Sequence, residues 1–242
     1  MTYKEVYGNL FGTEAKTLVN TVNCVGAMGK GIALEFRRRY PQMFKQYRLD
    51  CEQKKLVPGR IYSYKSEDTL ILNFAIKDHW KFPSKIEWIE SCLRQFVNGY
   101  QKKGIKSIAF PWMGAMNGQL PFELIQSTMR NWLQPLDGIT VEVYTFDPAG
   151  YDPLFEELIK IVDSENPLLY QKASGVNAKA FLMIIDAIRN NKVKDLSQIS
   201  SLKGVGETSI DNLYIYLTHL RTNKESDKQN STPSQQSQLP LF

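Results

Sequence analysis

VNTVNCVGAMGKGIA, residues 19–33, changes character twice within one short stretch. Residues 17–22 (TLVNTV) are apolar and β-branched, which predicts a short buried strand. Gly26, Gly29 and Gly31 follow, and residues 32–40 then read as a helix with Pro41 close behind. Strand, glycine loop and helix in that order put the loop at the carboxyl end of a strand, where open α/β sheets bind ligands. The glycines allow close backbone approach, and the helix start near Ile32 offers amides to a phosphate.

Working outward, residues 60–64, 69–74, 107–111 and 140–146 read as further strands, and residues 85–102 and 121–133 as amphipathic helices. Alternating strands and helices predict an α/β domain with a largely parallel sheet. A second glycine loop, PWMGAMNGQL (residues 111–120), again lies between a strand and a helix. Two such loops would clamp a diphosphate from both sides, or would be plain connections; glycines alone do not decide this.

Beyond residue 153 the pattern changes. Residues 154–162, 179–189, 196–202 and 207–220 read as helices with no strand between them, a small all-α module over residues 154–221. Residues 222–242 are polar and low in complexity, which predicts a disordered tail, yet they end in the apolar pentapeptide QLPLF.

The bulk numbers bound the function. The chain has 242 residues and a formal charge of +5, basic enough to suit a polyanion but not to require one. No apolar run has membrane-spanning length, and residues 1–10 lack the shape of a signal peptide. Cys24, Cys51 and Cys92 are odd in number and widely spaced, and His79 and His219 are the only histidines. These suit a reduced, cytoplasmic protein with no metal, no cofactor and no membrane association.

The first loop resembles the signature of macrodomains, the ADP-ribose-binding fold with a mixed, mostly parallel sheet between helices. Within that superfamily it is most similar to the DarG branch, antitoxins that remove ADP-ribose from DNA modified by DarT toxins. NFAIKDHW (residues 73–80) and the loop at residues 114–120 fit the same branch, so the resemblance spans residues 5–147. It implies a DNA ADP-ribosyl glycohydrolase acting in DNA repair or as an antitoxin. Carried over by position, Lys77 and Asn23 would be catalytic, Asn23 facing the distal ribose with its amide on the ribose hydroxyls. Asn20, Gly26, Met28, Gly29, Lys30, Gly31 and Ile32 would form the first wall of the ligand site. Gly114, Ala115, Met116, Asn117, Gly118 and Gln119 would form the second, with His79 and Trp80 at the modified base, or Trp80 packed in the core. Tyr144 and Phe146 would flank the adenine or pack as ordinary strand aromatics.

A lysine suits the chemistry. Glycosidic cleavage builds positive charge at the anomeric carbon, and an amine can act there as acid, base or nucleophile. Acting as base or nucleophile requires a lowered pKa, from burial or from a cation such as Lys81. The chain departs from the branch pattern in four places. Asn9 stands where an Asp accepts from the adenine amino group, and its side-chain carbonyl would accept there instead; Gly114-Ala115-Met116 stand for Gly-Cys-Gly, Ala75-Ile76 replace Pro-Thr, and Gly118 leaves the second loop without a carboxylate.

LSQISSLKGVGETSIDNL (residues 196–213) resembles a helix-hairpin-helix, which implies a DNA phosphate held by Lys203, Gly204, Val205 and Gly206. Residues 171–204 carry six basic side chains against Asp186 and Asp195, which favours the same partner. The tail end resembles the peptide that binds the bacterial DNA sliding clamp: Gln238 at the rim, Leu239, Leu241 and Phe242 in an apolar pocket. Two other readings stand beside the enzyme: a non-catalytic ADP-ribose-binding module, and an antitoxin whose helical region grips a DarT-like toxin.

Overall fold

The computed structural model describes residues 2–66 and 69–226. They divide into two compact units, the first ending at Phe146 and the second starting at Asp147.

The first unit is a six-stranded sheet in the order β1-β6-β5-β2-β4-β3. Its strands are β1 (Thr2–Gly8), β2 (Thr17–Asn23), β3 (Ile61–Ser66), β4 (Thr69–Lys77), β5 (Ser107–Pro111) and β6 (Thr140–Phe146). Every pairing is parallel except β3 with β4. Helices α1 (Gly31–Arg39) and α2 (Pro41–Glu52) contribute to a different core from α3 (Ile86–Gly99) and α4 (Phe122–Leu133). Strand periodicity assigns the two faces. Leu72, Phe74 and Ile76 of β4 enter the core with α3 and α4, whereas Ile71 and Ala75 enter the core with α1 and α2. That alternation runs three residues past the expected end of β4 and carries the strand to Lys77.

Three elements carry too little local signal to be read from the sequence. β1 has one apolar aliphatic residue, Val6, and an exposed pattern, so it shows no strong strand signature. Pro41 reads as a stop but is the first residue of α2, a position where its missing N–H costs nothing. The short helix α6 (Leu169–Ser174) completes the second unit with α5 (Pro153–Val162), α7 (Ala178–Arg189), α8 (Leu196–Ile199) and α9 (Glu207–Ser226). Asp152, Asn177 and Asp195 cap α5, α7 and α8 through their side-chain oxygens. Phe181, Ile184, Leu213, Tyr214 and Leu217 lie in this unit's own core. Among the described residues no helix is long and apolar enough to cross a membrane.

Asn20 corrects one expectation. It shares its strand face with Leu18 and Val22, so it points into the α1–α2 core and has no exposed surface. Its amide donates to Asn73 Oδ1 at 2.8 Å, directly across the β2–β4 ladder, and approaches Met28 Sδ at 3.9 Å. Met28 is itself only 2% exposed. Both are buried beneath the first loop. Asn20→Ala would strand the Asn73 carbonyl oxygen and lower unfolding stability by about 1–3 kcal/mol. The double variant Asn20→Leu/Asn73→Leu should recover most of that loss. Urea denaturation of the three variants and wild type checks both outcomes.

Candidate functional site

The site starts from an irregularity in the sheet. β2 and β4 pair in register up to Val22 opposite Ala75, after which Asn23 pairs with Lys77. Ile76 is thus the extra residue of a β-bulge, and the bulge brings Lys77 level with Asn23 at the strand ends. Beyond the bulge the ladder continues for one more bond, from the Cys24 amide to the Asp78 carbonyl at 3.1 Å.

Asn23 organises the first loop. Its Oδ1 accepts from the amides of Val25 (3.0 Å) and Ala27 (3.3 Å), and its Nδ2 donates to the Ala27 carbonyl at 2.6 Å. The Tyr47 hydroxyl, from α2, reaches the Asn23 carbonyl at 2.7 Å and its Oδ1 at 3.1 Å. One amide proton of Asn23 is left for a ligand. Sequence reading misses Tyr47, because α2 itself is missed. Burial pushes the Tyr47 phenol well above its ordinary range, so it stays a donor.

The second loop folds on itself. Gly114 has φ +83°, and a Cβ on Gly118 would overlap the Gly114 backbone, so both positions need glycine. The Leu120 amide donates to Gly114 O, and the Ser84 amide to Gly118 O at 2.9 Å. Met116 projects outward, 81% exposed, and Ala115 and Gln119 also reach the surface.

Asn117 joins the parts. Lys77 Nζ donates to the Asn117 carbonyl at 2.5 Å and approaches the Trp80 carbonyl at 3.5 Å. A Cβ on Gly31, which has φ +56°, would meet Asn117 Nδ2 at 2.6 Å. The two glycine loops and the end of β4 therefore meet at one point. Gly31 opens α1 behind Lys30, whose side chain makes no cap, so the first-turn amides near Ile32 face outward without a side-chain acceptor. Gly29 and Lys30 are exposed beside them.

Burial holds the Lys77 ammonium below its ordinary pKa of 10.5. Lys81 takes no part in this shift; its Nζ lies 5.2 Å from the Trp80 ring centroid instead. His79 stacks on Trp80 at 5.5 Å, and Trp80 is 53% exposed, so it is a surface aromatic and not core. Cys24 follows Asn23 directly, but burial pushes its thiol up to about 12 and removes it as a nucleophile at neutral pH.

Two residues expected at the adenine are differently engaged. Asn9 Oδ1 accepts from the Phe11 amide at 3.0 Å, so its carbonyl caps the turn after β1. Tyr144 donates to Glu142 at 2.9 Å, while Phe146 is half-exposed at the end of β6.

In the second unit, Gly204 has φ +96° in the turn between α8 and α9. Lys203, Gly204 and Gly206 are exposed, but Val205 is 8% exposed in the core and its amide donates to Leu202 O. Val205 therefore anchors the turn and is no phosphate contact. Gln238, Leu239, Leu241 and Phe242 lie outside the described residues.

Residues 19–129 match the family model described as Macro domain. The chain is 40% identical over 148 residues to the DNA ADP-ribosyl glycohydrolase of Thermus aquaticus, covering 60% of this chain and 41% of that one. The macrodomain of Thermus aquaticus DarG superposes with a TM-score of 0.56 at 38% identity, covering 60% of this chain and 98% of the other. Thermosipho africanus DarTG in complex with ADP-ribose matches with a TM-score of 0.55 at 34% identity, over 63% of this chain and 44% of that one. The chain thus spans about two fifths of the curated relative's length, but nearly all of the isolated Thermus domain. With the sheet, the paired glycine loops and these matches together, the chain belongs to the macrodomain family.

Proposed function

We propose that this protein is a DNA ADP-ribosyl glycohydrolase, with the ADP-ribose diphosphate between the two glycine loops and Lys77 at the distal ribose. The observation that carries the reading is the bulge that sets Lys77 beside Asn23, where the two loops meet at Asn117. A relative of 40% identity bears that activity in its name, and a similar solved structure holds ADP-ribose.

In this reading the diphosphate takes the first-turn amides at Gly31 and Ile32 and the turn at Gly114–Gly118. The free amide proton of Asn23 bonds a ribose hydroxyl. A neutral Lys77 amine then acts on the anomeric centre. It removes a proton from the attacking water, or attacks that carbon itself ahead of water. Either way the carbon–base bond breaks, the base leaves with a proton, and ADP-ribose is released. Burial serves this role by favouring the neutral amine. His79 and Trp80, exposed just past Lys77, would contact the modified base.

Two further proposals follow the same substrate. The turn at Lys203, Gly204 and Gly206 would hold a DNA phosphate, supported by the exposure of these three residues and the basic excess around them. Residues 238–242 would dock on the sliding clamp, supported by their sequence alone. A cognate DarT-like toxin would be the source of the modified DNA.

Lys77→Ala should slow release of ADP-ribose from an ADP-ribosylated oligonucleotide by about 100-fold or more, while calorimetry with free ADP-ribose shows unchanged affinity. The wild-type rate should rise with pH and level off below pH 10.5, because the neutral amine is the working form and its pKa is lowered. A rate that falls as pH rises would make Lys77 an acid. Tight binding with no release would leave a binding module. Deleting residues 238–242 should abolish capture by immobilised sliding clamp and leave release from free oligonucleotides intact.

A further inference from the structure

A cavity of about 630 Å³ lies on the α2 side of the first loop. Its walls include loop residues Cys24, Gly26 and Gly29, with Arg37 from α1 and Phe44 and Arg48 from α2. Glu52 and Lys54 also line it. Neither Lys77 nor the second glycine loop lines it.

The cavity shares a wall with the proposed reaction site. Residues 24–27 are held in shape by Asn23, whose side chain bonds Val25 and Ala27 and is itself gripped by Tyr47. Gly26, at φ +78°, lies against α2: a Cβ there would sit 3.7 Å from Arg48 Cγ. One thin loop therefore separates the ribose end of the proposed cleft from a pocket lined by arginines.

The lining is chemically specific. Arg37, Arg48 and Lys54 give three positive charges against the one carboxylate of Glu52. Arg37 lies 5.9 Å from the Phe44 ring centroid, so a cation and an aromatic ring are interleaved in the wall. Arg48 pairs with Glu52 at 3.3 Å, but both side chains are more than half exposed, so this pair is weak and exchangeable. The two cysteines add no chemistry: burial raises both thiols, leaving the cavity without a thiolate at neutral pH. The volume suits one nucleotide. Cations for a phosphate and an aromatic for a base are the elements of single-strand DNA subsites.

We infer that this cavity binds a nucleotide of the DNA strand adjacent to the modified one, with its phosphate on Arg48, Lys54 and Arg37 and its base toward Phe44. The inference rests on the glycohydrolase reading for the direction from which the strand arrives. It assigns the protein a DNA contact next to the ribose, separate from the turn at Gly204.

The test compares the 242-residue chain with its Arg48→Glu/Lys54→Glu variant; both residues are exposed and outside the core. Anisotropy measures affinity for a fluorescent single-stranded oligonucleotide carrying one ADP-ribose. Calorimetry measures affinity for free ADP-ribose. The variant should bind the oligonucleotide about tenfold more weakly at low salt, with a log–log salt slope shallower by about 0.7 for each phosphate it no longer neutralises. Free ADP-ribose should bind both proteins equally. Arg48→Gln/Lys54→Gln should show a smaller effect in the same direction, with an unchanged circular dichroism spectrum. An unchanged oligonucleotide affinity, or an equal weakening for both ligands, overturns the cavity's role. Failure of the glycohydrolase reading is separate, because it shows as no release of ADP-ribose by either protein.

Discussion

One contact organises the site: the Lys77 ammonium seated on the backbone carbonyl of Asn117. Lys77 ends β4, and Asn117 lies in the second loop, with its side chain in turn reaching Gly31 in the first. The Asn117 side chain against Gly31 brings the two loops together, and the Lys77 contact adds the end of β4 to them. With it, an amine that burial disposes toward neutrality stands at the paired ends of β2 and β4, against the second loop. The contact itself depends on the bulge at Ile76, because an unbroken register would pair Asn23 with Ile76 and set Lys77 one residue beyond.

The loops bear the cost of this arrangement in backbone freedom. Gly31 and Gly118 are positions where a single methyl group would collide with Asn117 or with the Gly114 backbone. The stiffness of the sheet offsets that cost. Asn20 and Asn73 form a buried amide pair inside the α1–α2 core, and Phe74 meets Phe110 edge-on at 5.8 Å on the opposite face. A rigid floor with loops tied at a few points suits a ligand whose diphosphate is bound chiefly by backbone amides. Such binding needs close approach, and close approach needs the absence of side chains.

Strand and helix alternation is legible from periodicity, and the first loop's motif is legible as a macrodomain signature. Less visible are features that depend on partners distant in sequence. β1 has only the edge pairing to β6 to make it a strand, and Pro41 reads as a terminator until α2 is seen to begin with it. Tyr47 carries no signal because its role is defined by Asn23, 24 residues away. Asn20 is misplaced for a related reason: a motif names residues together, but strand parity sends alternate ones to opposite sides. Val205 is misplaced in the same way, since a turn presents its glycines outward by burying the apolar residue between them. Lys77 is found because the resemblance points to it; one lysine among thirty basic residues carries no signal of its own.

The central claim is a position: the diphosphate between two glycine loops, the lysine amine at the sugar beyond. A crystal structure of the Lys77→Ala variant with an ADP-ribosylated nucleoside, read beside a wild-type complex with ADP-ribose, tests it most directly. The account predicts the diphosphate against the amides of residues 31–32 and 114–118. It also predicts that the wild-type amine moves from Asn117 O to about 3–3.5 Å from the anomeric carbon. Density for the ligand in the cavity beside α2 instead, or an amine still on Asn117 with the sugar out of reach, would contradict it.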